Sequence, residues 1–132
     1  MFIVKDIMTP IVCEIPDNKL VCEVEGILVS ENISGAPLVN GKGIVVGLIS
    51  KSDIVHFDFI GGDTYTTPAT EISTLNIVIV APTDSVKSAA QKLIQNDVHR
   101  LLVVEGDRMI GMVSVVDIVK LVANSGISKH IE

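Results

Sequence analysis

Apolar positions along this chain follow first a helical and then a strand period, and the whole order occurs twice. Val4, Ile7 and Met8 make a short amphipathic turn closed by Thr9-Pro10, and the β-rich run 11–15 stops at Pro16. Leu20, Val24, Ile27 and Leu28 recur at helical spacing after Asp17 or Asn18, either of which can cap that helix. Gly26 lies inside it and weakens it by about 1 kcal/mol relative to alanine. Asn32-Ile33-Ser34-Gly35 ends the helix, 36–39 predicts a short strand, and Asn40-Gly41-Lys42-Gly43 predicts a hairpin turn. The returning strand, 44–49, is apolar throughout and is expected to be buried on both faces. From Ser50 a further helix carries Ile54 and Val55.

After the Gly/Thr/Pro cluster of residues 59–68, which reads as a linker, the order resumes. Ile72-Ser73-Thr74 leads to a strand at 77–80, ended by Pro82, and Asp84 or Ser85 caps a helix bearing Val86, Ala89, Ala90, Leu93 and Ile94. A strand at 101–104, a turn at Glu105-Gly106-Asp107, a strand at 109–113 and a helix at 115–122 follow. Ile7 matches Ile72, Thr9 matches Thr74, Pro16 matches Pro82, Gly47 matches Gly111, Ser50 matches Ser114 and Asp53 matches Asp117. The expected organisation is therefore a first repeat over 1–60, a linker over 61–68, a second repeat over 69–124 and a polar tail over 125–132. Each repeat reads strand–helix–strand–strand–helix over about 55–60 residues, a size at which burial is marginal for a domain alone. The expected fold class is α+β, in α/β layers: two βαββα repeats packed sheet to sheet with pseudo-two-fold symmetry, their strand-to-helix corners lining a cleft.

Composition narrows the function. With 48% apolar and 20% charged residues the chain is that of a folded protein, and with three Phe, one Tyr and no Trp its core must be aliphatic. No run reaches the ~18 apolar residues of a membrane span. The start, Met1-Phe2-Ile3-Val4-Lys5-Asp6, lacks the basic and apolar regions of a signal peptide, so a cytoplasmic location without membrane attachment is expected. Cys13 and Cys22 have no CxxC spacing and read as reduced packing residues. His56, His99 and His130 are too scattered to make a metal site, and a net charge of −6 argues against a nucleic-acid surface.

The polar feature that repeats is Gly-x-x-Ser-x-x-Asp, at Gly47, Ser50, Asp53 and again at Gly111, Ser114, Asp117. A serine followed three positions later by an acid is close to a helix capping box, and capping alone would account for one such corner. Its recurrence at one place in a repeat points further, because a helix N-terminus offers N–H groups to a phosphate and an aspartate one turn in can accept from a ribose. A cap and a ligand site are compatible.

These residues resemble a tandem pair of cystathionine-beta-synthase (CBS) domains, a Bateman module, over about residues 3–123. The resemblance rests on Val4-x-Asp6-Ile7-Met8-Thr9, on Ile33-Ser34-Gly35-Ala36-Pro37-Leu38-Val39 and on both corners. It implies a regulatory binder of adenosine-containing ligands (AMP, ADP, ATP or S-adenosylmethionine), with no cofactor required. It gives Asp53 and Asp117 the ribose, Ser50 and Ser114 the phosphate, and makes Thr9, Ile11 and Val12, with Thr74, Ile77 and Val78, candidate adenine walls. Thr9 and Ile11 are expected to form the wall opposite the Asp117 corner. Val98-His99-Arg100-Leu101-Leu102 resembles the basic stretch that meets phosphates in gamma subunits of AMP-activated protein kinases, and Arg100 suits bidentate phosphate binding. The first repeat has Ile33, Ser34 and then Gly35 at the matching place, so the Asp117 corner is expected to be the stronger phosphate site, with Lys51 a partial substitute at the other. Ser73 stands where the family usually has methionine, and Leu102 where proline is common.

The duplication uses nearly the whole chain, which leads to a ligand-sensing module working on an unidentified regulated protein rather than an enzyme. Such modules commonly dimerise through helices, and a homodimer using apolar positions of 54–59 and 118–122 is expected. The alternatives are an interaction module with degenerate sites and a small nucleotide-processing enzyme. The latter lacks the carboxylate cluster or paired base that such chemistry uses.

Overall fold

The computed structural model describes residues 1–125, so the expected tail lies, beyond Ser125, outside the described residues. In chain order the elements are α1 (Val4–Ile7), β1 (Thr9–Pro10), β2 (Ile15–Pro16), α2 (Val21–Ser30), β3 (Gly35–Val39), β4 (Val45–Ser50), α3 (Lys51–Phe59), a 3-10 turn (Ala69–Glu71), β5 (Ile79–Val80), α4 (Val86–Asn96), β6 (Arg100–Glu105), β7 (Arg108–Ser114) and α5 (Val115–Asn124). This is a mixed α and β chain in which the βαββα order occurs twice.

The elements assemble into two compact units whose boundaries do not follow the sequence repeats. Among the described residues one, here the Asp53 unit, is Val12–Ile77; the other, the Asp117 unit, combines Met1–Ile11 with residues 78–125. The Asp53 unit holds a three-stranded sheet in the order β2-β3-β4, with β2 and β3 parallel and β3 and β4 antiparallel. Its core joins Ile15, Ala36, Leu38 and Ile49 from the sheet to Val21, Val24 and Leu28 of α2 and Ile54 of α3. The Asp117 unit holds a four-stranded sheet in the order β1-β7-β6-β5. There Val80, Leu101, Val103 and Val113 pack against Ala89 and Leu93 of α4. Leu48 and Leu102, on alternate positions of these strands, are buried too, but the run 44–49 is buried on both faces only from Gly47 on: Ile44 precedes β4 and is exposed, and Val45 and Val46 are half-buried.

Each unit completes its core with a segment from the start of the other repeat. Val4, Ile7 and Met8 pack into the Asp117 unit; Ala69 and Ile72 pack into the Asp53 unit. The backbone bonds that hold the two straps correspond one to one. Val4 N–H donates to the Asp84 carbonyl as Ala69 N–H donates to that of Lys19, and Val86 N–H reaches Phe2 as Val21 N–H reaches Thr67. Thr9 pairs with Met112 of β7, and Thr74 bridges to Leu48 of β4.

The exchange explains where local reading misplaces elements. The expected strand at 11–15 survives only as Ile15–Pro16, because the chain leaves its β7 partner after Ile11 and finds β3 only at Ile15. Likewise the strand at 77–80 shortens to Ile79–Val80, paired with Leu102 and Val103. Neither Asp17 nor Asn18 caps α2. Its cap position is Leu20, whose N–H donates to Glu23 Oε1 at 3.0 Å, while the Val21 and Cys22 N–H groups are taken by the Thr67 and Thr64 carbonyls. Residues expected to be a linker thus close a helix end. Ser85, not Asp84, caps α4, its hydroxyl accepting from Ser88 N–H at 3.0 Å. The 40–43 hairpin turn is as expected, with Asn40 Oδ1 accepting from Lys42 and Ile44 N–H and Gly43 at φ 78°.

Candidate functional site

Both Gly-x-x-Ser-x-x-Asp corners fold the same way. In the Asp117 unit, β7 ends at Ser114, the N-cap of α5. Ser114 N–H and Oγ donate to Asp117 Oδ2 at 2.8 and 3.1 Å, and Asp117 N–H donates back to Ser114 Oγ at 3.2 Å. In the Asp53 unit, the Ser50 N–H and Oγ donate to Asp53 Oδ2 at 2.9 and 3.0 Å, and Asp53 N–H returns to Ser50 Oγ at 3.2 Å. Each corner is a reciprocal capping box.

These bonds restrict what a ligand meets. The first N–H of each helix is also engaged: Lys51 N–H donates to the Ser34 carbonyl at 2.8 Å and Val115 N–H to that of His99 at 3.0 Å. The open N–H groups expected at the helix start reduce to one per corner, those of Ser52 and Val116, which meet no acceptor among the described residues. The Asp117 carboxylate is engaged on one edge, through Oδ2; its Oδ1 accepts nothing from the described residues and is not sealed from solvent. An oxygen in that state can accept from a ligand hydroxyl while the other oxygen keeps the cap.

The strand next to each corner separates the two. Arg100 is the ladder partner of Ser114, and Gly35 is the ladder partner of Ser50. Cross-strand partners share a sheet face, so a guanidinium accompanies one corner where the other has no side chain. A Cβ at Gly35 would stand 3.0 Å from the Ile49 carbonyl oxygen and 3.6 Å from Ser50 Cβ. Ser50 is buried at 3% exposure, and its Oγ also lies 2.9 Å from Ser52 Oγ; Ser114 is half-buried, with Val116 in the place of Ser52. Lys51, Ser34 and His99 are exposed beside their corners.

The candidate adenine walls divide between the units. Thr9 sits against Met112, two residues before Ser114, while Ile11 N–H reaches the Ile110 carbonyl at 3.2 Å, four residues along β7. At strand rise that is ~13 Å from Ser114. Both therefore belong to the sheet that carries the Asp117 corner, as a neighbouring strand rather than the opposite wall that was expected. Val78 lies in this unit too, its carbonyl accepting Leu102 N–H at 2.9 Å. In the Asp53 unit, Thr74 exchanges bonds of 2.9 and 2.8 Å with Leu48, two residues before Ser50, and Ile33 N–H donates to Leu28 at the end of α2. Val12 and Ile77, at the two ends of that unit, make none of the hydrogen bonds that tie its corner.

Sequence reading overlooked Ser52, although Ser-x-Ser-Asp against Ser-x-Val-Asp was the available signal. It also overlooked the Ser34 and His99 carbonyls, for which a backbone group leaves no signal. Cys13 is half-buried, and burial, with Glu31 nearby, pushes its thiol up from the ordinary range, which suits packing rather than nucleophilic chemistry. Among the described residues no group of His, Cys, Asp or Glu could hold a metal ion, and no helix is long and apolar enough to cross a membrane. The expected helical contact face is narrower than the sequence suggested. Ile54 is 2% exposed and Ile118 packs on the core, leaving Val55 and Phe59 on α3 and Val115, Val116, Val119 and Val122 on α5 exposed.

Comparison with known proteins agrees with this geometry. The family model "CBS domain" matches residues 4–59 and 69–124. The chain is 24% identical over 131 residues to the uncharacterised protein MJ1225 of Methanocaldococcus jannaschii, covering 98% of this chain and 46% of that protein, and so spans about half its length. It is 27% identical over 115 residues to the CBS domain-containing protein YhcV of Bacillus subtilis, covering 87% of this chain and 81% of that one. The CBS domain pair of protein MJ0100, solved in complex with 5′-methylthioadenosine and S-adenosyl-L-methionine, superimposes with a TM-score of 0.75 at 27% identity, covering 93% of this chain and 97% of that one.

Proposed function

This chain belongs to the CBS domain family as a tandem pair, and on that premise we propose that it is a cytoplasmic regulatory module that binds adenosine-containing ligands without catalysis. The observation that carries the reading is the Asp117 corner. It combines a carboxylate oxygen left open by the capping box, an N–H without an acceptor at Val116, and Arg100 opposite Ser114 in the ladder. A ribose fits the first and a phosphate the other two. The Asp53 corner, with Ser50, Ser52 and Lys51, is the second site. Thr9, Val78 and His99 border the first; Ile33, Ser34 and Thr74 border the second, and Ile11, Val12 and Ile77 stand further out. The similar pair bound to 5′-methylthioadenosine and S-adenosyl-L-methionine supports an adenosyl ligand. Calorimetry with AMP, ATP and S-adenosylmethionine, repeated on Asp117→Ala, tests this. Binding that Asp117→Ala weakens supports it, and no binding to the wild-type chain at millimolar ligand ends it.

The exposed valines of α5, with Val55 and Phe59 of α3, are the faces proposed for a homodimer, and a regulated protein is the proposed recipient of the signal. A monomer mass by light scattering that does not change with concentration would remove the dimer. A module with degenerate sites is the second reading. It is favoured by one fact, that the serine hydroxyls and one oxygen of each aspartate already serve the helix caps.

A further inference from the structure

We infer that two copies of this chain associate head to tail, the helical face of the Asp53 unit in one copy meeting that of the Asp117 unit in the other. Opposite charge on the two faces selects that pairing. This rests on the homodimer proposed above and adds which face meets which.

The net charge of −6 is not shared between the units. Val12–Ile77 holds nine Asp and Glu against three Lys, which accounts for all of it. Met1–Ile11 with residues 78–125 holds six Asp and Glu against six Lys and Arg. The helices carry the same asymmetry. α2 and α3 bear four acids against Lys51, and α4 and α5 bear three lysines against Asp117. Glu23 is engaged at the start of α2, and Lys92 Nζ donates to the Ile79 carbonyl at 3.0 Å. Glu25, Lys87 and Lys120 are exposed and enter no hydrogen bond or ion pair among the described residues.

Helix stability does not account for this placement. Glu31 is the C-cap of α2, at the negative end of the helix dipole, and Lys87 is the second residue of α4, at the positive end. Each charge stands where its own helix disfavours it, and each has its opposite on the corresponding helix of the other unit. Between these charges α2 and α4 expose one large apolar side chain at the same station, Val29 at 65% and Ile94 at 80%. α2 lies beside α3 and α4 beside α5, where Val55, Phe59 and the α5 valines are exposed as well. A second copy is the occupant that matches both faces. Pairing like with like, α2 against α2 and α4 against α4, brings glutamates to glutamates and lysines to lysines around the apolar residues. Pairing the Asp53 unit with the Asp117 unit brings Glu25 and Glu31 to Lys87 and Lys120 instead.

Sedimentation equilibrium tests this with Glu25→Lys/Glu31→Lys, with Lys87→Glu/Lys120→Glu, and with all four changes in one chain. Each pair of changes is expected to weaken dimerisation by about 10-fold or more, and the quadruple variant to recover most of the loss. Raising salt from about 0.05 M to about 0.5 M is expected to weaken the wild-type dimer. Glu31→Lys and Lys87→Glu improve the charge at their helix ends, so Tm is expected not to fall, which separates lost association from lost folding. A dimer that both pairs leave unchanged, that tightens with salt, or that the quadruple variant fails to restore overturns the head-to-tail pairing and leaves the homodimer standing. A wild-type mass that stays monomeric at every concentration overturns both.

Discussion

The strap that enters the Asp117 unit and the strap that enters the Asp53 unit keep the same backbone bonds but seat different side chains. Met8 lies over Gly111, where an added Cβ would fall 2.6 Å from its Sδ, and Ser73 lies over Gly47 with its hydroxyl turned to the Thr70 carbonyl at 3.0 Å. The corners three residues further on behave likewise, with one capping geometry and two sets of neighbours, Arg100 and Val116 against Gly35 and Ser52. Main-chain pairing is what the duplicated fold cannot vary, since a buried N–H without a partner is costly whatever the side chain. The side chains carried on that frame can diverge, both those packed inward like Met8 and those beside the corners, and that is where the halves differ.

The sharpest way to break this comparison is to charge one strap. Val4 and Ala69 are both fully buried, so Val4→Asp and Ala69→Asp are each expected to cost several kcal/mol, about 3 or more. Hydrogen exchange should show Val4→Asp deprotecting residues 78–124 first, although it lies in the first repeat, and Ala69→Asp deprotecting 12–77. Loss of protection within the mutated repeat instead would contradict the exchange. Next, Gly111→Ala drives a methyl against Met8 and the Thr9 carbonyl, at 3.0 Å from the latter. An overpacking cost of about 1–3 kcal/mol is expected in urea unfolding. The double change Gly111→Ala with Met8→Ser should recover part of it if the seat is the cause.

Smaller effects sharpen the corners. Ser50→Ala and Ser114→Ala remove equivalent caps and should each cost about 0.5–2 kcal/mol. Ser50→Ala is expected at the upper end, since its hydroxyl is buried and lies 2.9 Å from Ser52 Oγ as well. Equal losses would show that Ser52 adds nothing to the cap. Smallest, and of opposite sign, is Gly26→Ala, on an exposed face of α2 with no atom within 4 Å of a new Cβ. A gain of about 0.5–1 kcal/mol, read as a higher Tm, is expected.

Much of this was legible in the chain. Gly-x-x-Ser-x-x-Asp written twice identified both strand ends, both helix starts and both capping boxes, because each of those depends on residues within one turn of one another. The contrast between His99-Arg100 and Ser34-Gly35 was equally visible, and the ladder confirms that they occupy corresponding stations. The cap of α2 was not legible. Asp17 and Asn18 are good capping residues, but the Thr64 and Thr67 carbonyls reach the helix first, from more than 40 residues along the chain. The paired strand at Thr9–Pro10 was hidden for the same reason, since nothing in two residues declares a partner at Met112 and Gly111.

By itself, then, the sequence determined what short-range physics controls: the periods of strands and helices, the turn at Asn40–Gly43, the serine–aspartate caps and the doubling of all of them. Tertiary structure alone decided which repeat each strap completes, how few N–H groups remain open at the corners, and which of the apolar helix positions stay exposed. Those outcomes depend on which distant carbonyl or side chain arrives to fill a given place, and local pattern carries no record of it.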